Sequence, residues 1–275
     1  MNATYRAALE ADRAALEAML RQDAGAGWEM PQALDLLSAA LVEDEIVGLL
    51  RLESFGDGGD MAVFVAPAYR RRGIGAAAVL YGEGVLRERG AERIHADYLA
   101  AREDAVGFAA KMGYGRNFSS AYMTRAAVSF GEDCPFVRPY RDEDYADAHA
   151  LHEEAFHMMR LSVGDFPDSQ LGQPSEKSRA DWLTHAADRY VYEMDGEIVG
   201  YSHIEDGELS SVSVRPDLQG RGIGEGFVKW LVDEIYRRGH KEATLWCVEG
   251  NRARHLYDRL GFTQRHVSIF SKKTL

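Results

Sequence analysis

Val214-Arg215-Pro216-Asp217-Leu218-Gln219-Gly220-Arg221-Gly222-Ile223-Gly224 leads the end of an apolar strand through a proline-marked turn and a run of glycines into an amphipathic helix. Glycines let the backbone approach a ligand closely, and the first N–H groups of a helix have no intrahelical partner. With the helix dipole, such a turn forms a site for phosphate or pyrophosphate. Arg221 adds a charge-assisted contact. The dinucleotide fingerprint Gly-x-Gly-x-x-Gly is absent, because its last glycine falls on Phe227 counted from Gly222 and on Glu225 counted from Gly220. No Gly-x-x-x-x-Gly-Lys-Ser/Thr P-loop occurs either.

The segment has an upstream counterpart, Val65-Ala66-Pro67-Ala68-Tyr69-Arg70-Arg71-Arg72-Gly73-Ile74-Gly75. Three further blocks recur in the same order. Arg6 with Asp12 matches Arg138 with Asp144, Glu45-Ile46-Val47-Gly48 matches Glu197-Ile198-Val199-Gly200, and Lys111-Met112-Gly113-Tyr114 matches Arg259-Leu260-Gly261-Phe262. From the hairpin block onward the pairs lie about 150 residues apart, so one supersecondary plan occurs twice. The second copy carries roughly twenty extra residues between its first helix and its hairpin.

Each copy reads as an amphipathic helix (12–20; 142–156), then hairpin strands with Asp195-Gly196 as a turn, then a strand ending at Val65 or Val214. A long helix follows the glycine turn (73–88; 222–238), then a strand (93–98; 243–248), a short helix and a final strand. This order implies an α/β or α+β fold with two tandem domains, each a mixed, mostly antiparallel sheet flanked by helices. Broken periodicity near residues 129–135 puts the domains at 1–130 and 131–275.

Composition narrows the function. With 32 Lys and Arg against 44 Asp and Glu, the net charge of −12 disfavours a nucleic-acid or membrane-surface binder. No apolar run is long enough to span a bilayer, and the two cysteines, Cys134 and Cys247, show no metal-ligand or redox spacing. The expectation is a cytoplasmic protein, monomeric or homodimeric, with no metal.

The Gln/Arg-x-x-Gly-x-Gly turn after Val-x-Pro, followed by Leu256-Tyr257-Asp258-Arg259-Leu260-Gly261-Phe262, resembles the GCN5-related N-acetyltransferases. The likeness spans nearly the whole chain, once per half. It implies acetyl transfer from acetyl-CoA to an amine, with the pyrophosphate on the backbone of Gln219, Gly220, Arg221, Gly222, Ile223 and Gly224. The pantetheine would pair with the backbone at Val212 and Val214 as an added strand. Arg70, Arg71, Arg72, Gly73, Ile74 and Gly75 are the corresponding cofactor candidates in the first half. Asn251 stands one residue later than the family's usual Asn, and is read as a cofactor contact or a helix cap.

Tyr257 occupies the position where the family commonly carries the acid that protonates the departing thiolate; a core aromatic is the other reading. Glu208 is the candidate base that takes the amine's proton, with Glu205 and His203 in reserve. In a regular strand Glu208, Ser210, Val212 and Val214 would share a face, and a β-bulge would break that parity. Aligned by counting, the first half has Ala109 at the tyrosine position and Gly59 at the glutamate position, with Asp60 adjacent. The first half is therefore expected to have lost catalysis while keeping the glycine turn.

The extra segment at 156–187 offers Phe156, His157, Met158, Met159, Phe166 and Trp182, with Asp165 and Asp168, as walls for a small-molecule primary amine. An amphipathic lid explains the same residues. A non-catalytic acyl-CoA sensor or assembly module is the alternative to an enzyme.

Overall fold

The computed structural model describes residues 3–28, 30–166 and 168–275. They form two compact units, Met1–Ser119 with Ser268–Leu275, and Ser120–Val267. In chain order, the first copy contributes β1 (Thr4–Ala7), α1 (Arg13–Leu20), β2 (Leu37–Val42), β3 (Glu45–Phe55), β4 (Gly58–Val65), α2 (Ile74–Glu88), β5 (Arg93–Leu99), α3 (Glu103–Lys111) and β6 (Gly115–Ala126). The second contributes β7 (Val137–Pro139), α4 (Tyr145–Val163), α5 (Glu176–Thr184), β8 (Arg189–Met194), β9 (Glu197–Glu205), β10 (Glu208–Val214), α6 (Ile223–Arg237), β11 (Glu242–Val248), α7 (Arg254–Arg259) and β12 (Thr263–Thr274).

In the first unit the strands run β1-β2-β3-β4-β5, antiparallel except for the parallel pair β4–β5. In the second they run β7-β8-β9-β10-β11, with β10–β11 the parallel pair. Each sheet is then extended by a strand from the other copy. Residues Ser268–Thr274 of β12 pair antiparallel with β5, and Ser120–Ala126 of β6 pair antiparallel with β11. The boundary expected at 130/131 therefore does not coincide with the compact units. The chain passes from one unit to the other inside β6 and returns inside β12, because both ladders run the full length of their partner strands.

Local chemistry accounts for the repeat. The Asp195-Gly196 turn has φ of +52° and +81°, the two left-handed residues a tight hairpin needs. The paired Arg and Asp of each copy form bidentate contacts: Arg6 with Asp12 at 2.6 and 2.9 Å, Arg138 with Asp144 at 2.7 and 2.8 Å. Each carboxylate also accepts a backbone N–H at the start of its helix, from Leu9 and from Arg141. This motif ties the first strand of each copy to its first helix.

The glycine-turn helices lie on one face of their sheets. In α6, Phe227, Val228, Leu231, Val232 and Ile235 are buried against Val199, Ile204, Leu209 and Leu245. In α2, Ala78, Val79 and Leu86 pack with Leu50, Leu52, Met61 and Ile94. The opposite faces carry α1, on Leu49 and Phe64, and α4 with α5, on Val191 and Tyr201.

Phe227 is fully buried, and its ring meets Tyr192 edge-on at 5.7 Å. Phe227→Ala should cost about 3–5 kcal/mol in urea unfolding. Unchanged stability would refute this account of the core.

Candidate active site

The two glycine turns have one conformation. Gly222 and Gly73 cap α6 and α2 with φ of +88° each, and a Cβ built at either meets nothing within 4 Å. Two residues earlier the backbone is left-handed again, at Gly220 (φ +77°) and at Arg71 (φ +62°). The first N–H groups that bond back into α6 are those of Glu225 and Gly226, both to Gly222 O at 3.1 Å. The N–H groups of residues 220–224 precede them, around open space. Ile223 and Ile74 are buried, so only their backbone serves the turn. Gly224 lies against Val214 and Leu256, and Gly75 against Val65 and Phe108.

Positions 219 and 70 are engaged within the turn itself: the Gln219 backbone N–H, expected on the pyrophosphate, donates to Pro216 O at 3.4 Å, and Arg70 N–H donates to Pro67 O at 3.3 Å. Gln219 Nε2 donates to Val214 O at 3.0 Å, and Arg70 Nε donates to Val65 O at 2.9 Å. Both fasten the turn to its strand. Arg70 is further held by Asp23 at 2.7 Å, which also receives Arg102 at 3.0 Å. Arg72 lies over the Tyr69 ring at 5.4 Å. In the first unit Gly27 packs on Leu99 of β5 and Trp28 on Phe64 of β4, so this segment, with Asp23 on Arg70, touches both parallel strands and the turn.

The copies differ in the strand before the turn. In both units the parallel pair parts before the turn, β10–β11 beyond Glu208 and Thr244 and β4–β5 beyond Asp60 and His95; the difference lies on the antiparallel side. Against β9, Ser210 faces His203 and Ser213 faces Tyr201, which leaves one extra residue on β10. This is a β-bulge with Ser211 at φ +58°, and it frees main-chain groups from the ladder. Hydroxyls secure it: Ser202 Oγ donates to Ser210 O at 2.8 Å and Ser213 Oγ to Ser211 O at 2.9 Å. In the first unit β4 pairs with β3 without interruption from Gly58 to Val65.

The bulge resets the faces of β10. Leu209, Val212 and Val214 pack on the α6 side, so the two valines contribute backbone to the splay while their side chains belong to the core. Glu208 and Ser210 share the other face with Tyr201, His203 and Glu205 of β9, and Ser210 Oγ donates to Glu208 Oε1 at 3.1 Å. Burial pushes the Glu208 carboxyl above the usual carboxylate range, against the opposing hydrogen bond from Ser210. Because the first unit has no bulge, the residue matching Glu208 by face is Asp60, not the counted Gly59. Asp60 sits opposite Glu53 and beside His95, and burial raises its carboxyl too. A Cβ at Gly59 would instead lie 2.9 Å from Leu86 on the α2 side.

Tyr257 is buried on α7, its ring edge-on to Phe262 at 5.9 Å. Burial, followed by the neighbouring Cys247, raises its phenol well above the ordinary value, so it stays protonated. Among the described residues its hydroxyl has no hydrogen-bond partner. The first unit has buried Ala109 at this place. Asn251 Oδ1 accepts from Ala253 N at 2.9 Å in the turn leading into α7, whose N-cap is Ala253.

A cavity of about 440 Å³ opens beside the bulge in the second unit, lined by Ser211, His203 and Glu205 from the strands and by His149, His152 and Glu153 from α4. Asp181, Trp182, Asp188 and Arg189 line its other side. Trp182 stacks on Tyr201 at 4.5 Å and 7°. The Arg189 guanidinium lies over Trp182 at 4.8 Å, donates to the hydroxyl of Tyr201 and is 3.6 Å from Asp181. Carboxylates thus outnumber the single guanidinium. Of the residues expected to wall the acceptor site, Trp182 lines this cavity. Phe156 backs it through His152 at 4.5 Å, while Met158 is exposed and His157 bonds Ser169 at 3.0 Å. The lining residues of α4 escaped the sequence reading, although His149, His152, Glu153 and Phe156 recur at the spacing of one helix face. Among the described residues no His/Cys/Asp/Glu group is arranged to hold a metal, and no helix is long and apolar enough to cross a membrane.

Comparison with known proteins places this geometry. A model of the acetyltransferase (GNAT) family matches residues 5–114, and one described as FR47-like protein matches residues 192–271. The mycothiol acetyltransferase of Clavibacter sepedonicus is 28% identical over 254 residues, covering 85% of this chain and 79% of the relative. A GCN5-related N-acetyltransferase structure from Sphaerobacter thermophilus superposes with a TM-score of 0.70 at 20% identity, over 99% of this chain and 95% of that one. A tandem GNAT protein from the clavulanic acid biosynthesis pathway gives 0.64 at 14% identity, over 99% and 98%. The fold and its paired turns define an N-acetyltransferase. The chain belongs to the GCN5-related N-acetyltransferase family, with the family's plan present twice.

Burial pushes the His152 and His203 imidazoles down to about 4, below the ordinary value near 6.5. A ring whose folded pKa lies below its unfolded one stabilises the fold above the unfolded pKa, and that stability is lost as pH falls toward the folded one. Stability against urea should therefore fall from about pH 6.5 toward pH 4, by up to roughly 1.4 kcal/mol per pH unit for each ring. A His152→Asn/His203→Asn double variant should flatten that dependence; an unaltered slope would contradict the burial argument.

Proposed function

We propose that the second unit transfers an acetyl group from acetyl-CoA to a primary amine of a small molecule, and that the first unit does not turn over. One observation carries this reading. The bulge at Ser211 and an open glycine turn occur together in the second unit, whereas the first has the turn alone.

The second-unit turn suits a pyrophosphate, since its glycines leave space where side chains would stand and its N–H groups are free to donate. Acetyl-CoA, when bound, supplies the acyl group as an activated thioester. A main-chain N–H released at the bulge donates to the carbonyl oxygen as negative charge develops there. Glu208 takes the proton of the attacking amine through water, its raised affinity for protons suiting it to a base. The Tyr257 hydroxyl donates a proton to the departing sulfur. Glu205, opposite Glu208 and lining the cavity, draws the cationic acceptor in. The cavity position of Glu205 also supports a second reading in which Glu205 is the base. The relatives named mycothiol acetyltransferase support a small-molecule acceptor, and the cavity beside the bulge offers it a place.

Thiol release should fall about 10²–10⁴-fold in kcat for Tyr257→Phe. Gly222→Glu should raise the KM for acetyl-CoA, and Gly73→Glu should spare turnover. Full activity of Tyr257→Phe would remove it as the acid, and the opposite response of the two glycines would reverse the assignment of the copies. Comparing Glu208→Gln with Glu205→Gln decides between the bases.

A further inference from the structure

A chain of hydrogen bonds joins the cavity to the bulge. His152 on α4 places Nδ1 3.1 Å from Ser213 Oγ, and Ser213 Oγ lies 2.9 Å from Ser211 O. A hydroxyl has a single proton to give. That of Ser213 goes to the Ser211 carbonyl, so at the other contact the hydroxyl accepts and His152 Nδ1–H donates. The ring is then fixed as the Nδ1–H tautomer, with the lone pair on Nε2. Burial keeps it neutral against the nearby Glu153 carboxylate, which favours the charged form.

The ring is held rigidly. It meets Tyr201 edge-on at 5.7 Å and Phe156 at 4.5 Å, and it lines the cavity. Among the described residues Nε2 has no hydrogen-bond partner. The carboxylates around it are largely occupied: Glu153 accepts from Gly172 N at 2.6 Å, Asp188 pairs with Arg238 at 2.7 Å, and Asp181 faces Arg189. A fixed, uncharged acceptor therefore looks into a cavity whose wall also carries the carboxylates of Glu153, Asp181, Asp188 and Glu205.

We propose that His152 determines acceptor specificity: its Nε2 accepts a hydrogen bond from a second donor group on the amine substrate, while its Nδ1–H holds Ser213 and the bulge. The substrate class is thus a cationic amine carrying a further N–H or O–H, and simple alkylamines are poor acceptors. This rests on the second unit's being the transferring one. The two halves of the ring's role separate chemically, because Asn keeps a donor near Nδ1 and removes Nε2, whereas Gln keeps a polar group near Nε2 and loses the Nδ1 donor.

The test uses matched probes on the full chain: ethanolamine against propylamine, and putrescine against pentylamine. Thiol release is measured with acetyl-CoA, and amine binding by calorimetry with CoA present. The parent protein should favour the member with the second donor at least about tenfold. His152→Asn should lose that preference through KM with kcat kept, whereas His152→Gln and Ser213→Ala should lower kcat and keep the preference. Equal use of both members by the parent, or a preserved preference in His152→Asn, would overturn the proposal. Because calorimetry reads the preference without turnover, a protein that discriminates the pairs yet releases no thiol would defeat the transfer reading while keeping His152 as the group that selects the bound amine.

Discussion

One inserted residue in β10 governs what the second unit can do. The ladder with β9 steps three residues on one strand against two on the other, and Ser211 absorbs the mismatch in a left-handed conformation. That insertion turns Val212 and Val214 into core residues under α6 and leaves Glu208, Ser210 and Ser213 with the polar face of β9. Three serines and a histidine hold the distortion, each hydroxyl spent on a neighbouring polar group. A strained backbone persists only where its surroundings determine it, and here they do so from both sides of the strand.

The glycine turn is a more permissive element. Arg71 adopts in the first copy nearly the backbone angle that Gly220 adopts in the second, although a side chain there costs conformational energy. The turn is maintained by what surrounds it, the proline-led approach and a side chain from position 70 or 219 reaching back to the strand's last carbonyl. A duplicated scaffold can thus keep its cradle in both copies while the strand beside it diverges.

This contrast explains what was legible in the amino-acid sequence. Glycines, prolines and helical periodicity act locally, so the paired turns, the long helices and the tyrosine on α7 were readable from spacing alone. The bulge was foreseeable only as a possibility, because no residue type announces it. Counting across it matched Glu208 to Gly59, when the pleat matches it to Asp60. The motif offers the Gln219 backbone and Arg70 to the phosphate, while the structure bonds the Gln219 N–H to Pro216 O and ties both side chains to the strand, at Val214 and Val65. The cavity was least visible. Its walls come from α4, α5, β8 and β9, and only the tertiary arrangement brings His152 to Ser213, 61 positions away.

The crossing of β6 and β12 between the units bears on how the chain comes off the ribosome. The partner for β5 lies in residues 268–274, far downstream of Leu99, so the first copy cannot close its sheet edge when its own residues have emerged. An N-terminal copy that settles first does so with β5 as an unpaired edge, the kind of edge that invites mispairing. Each copy encodes a whole plan, yet the edge of the first is covered only once residues 268–274 have been made.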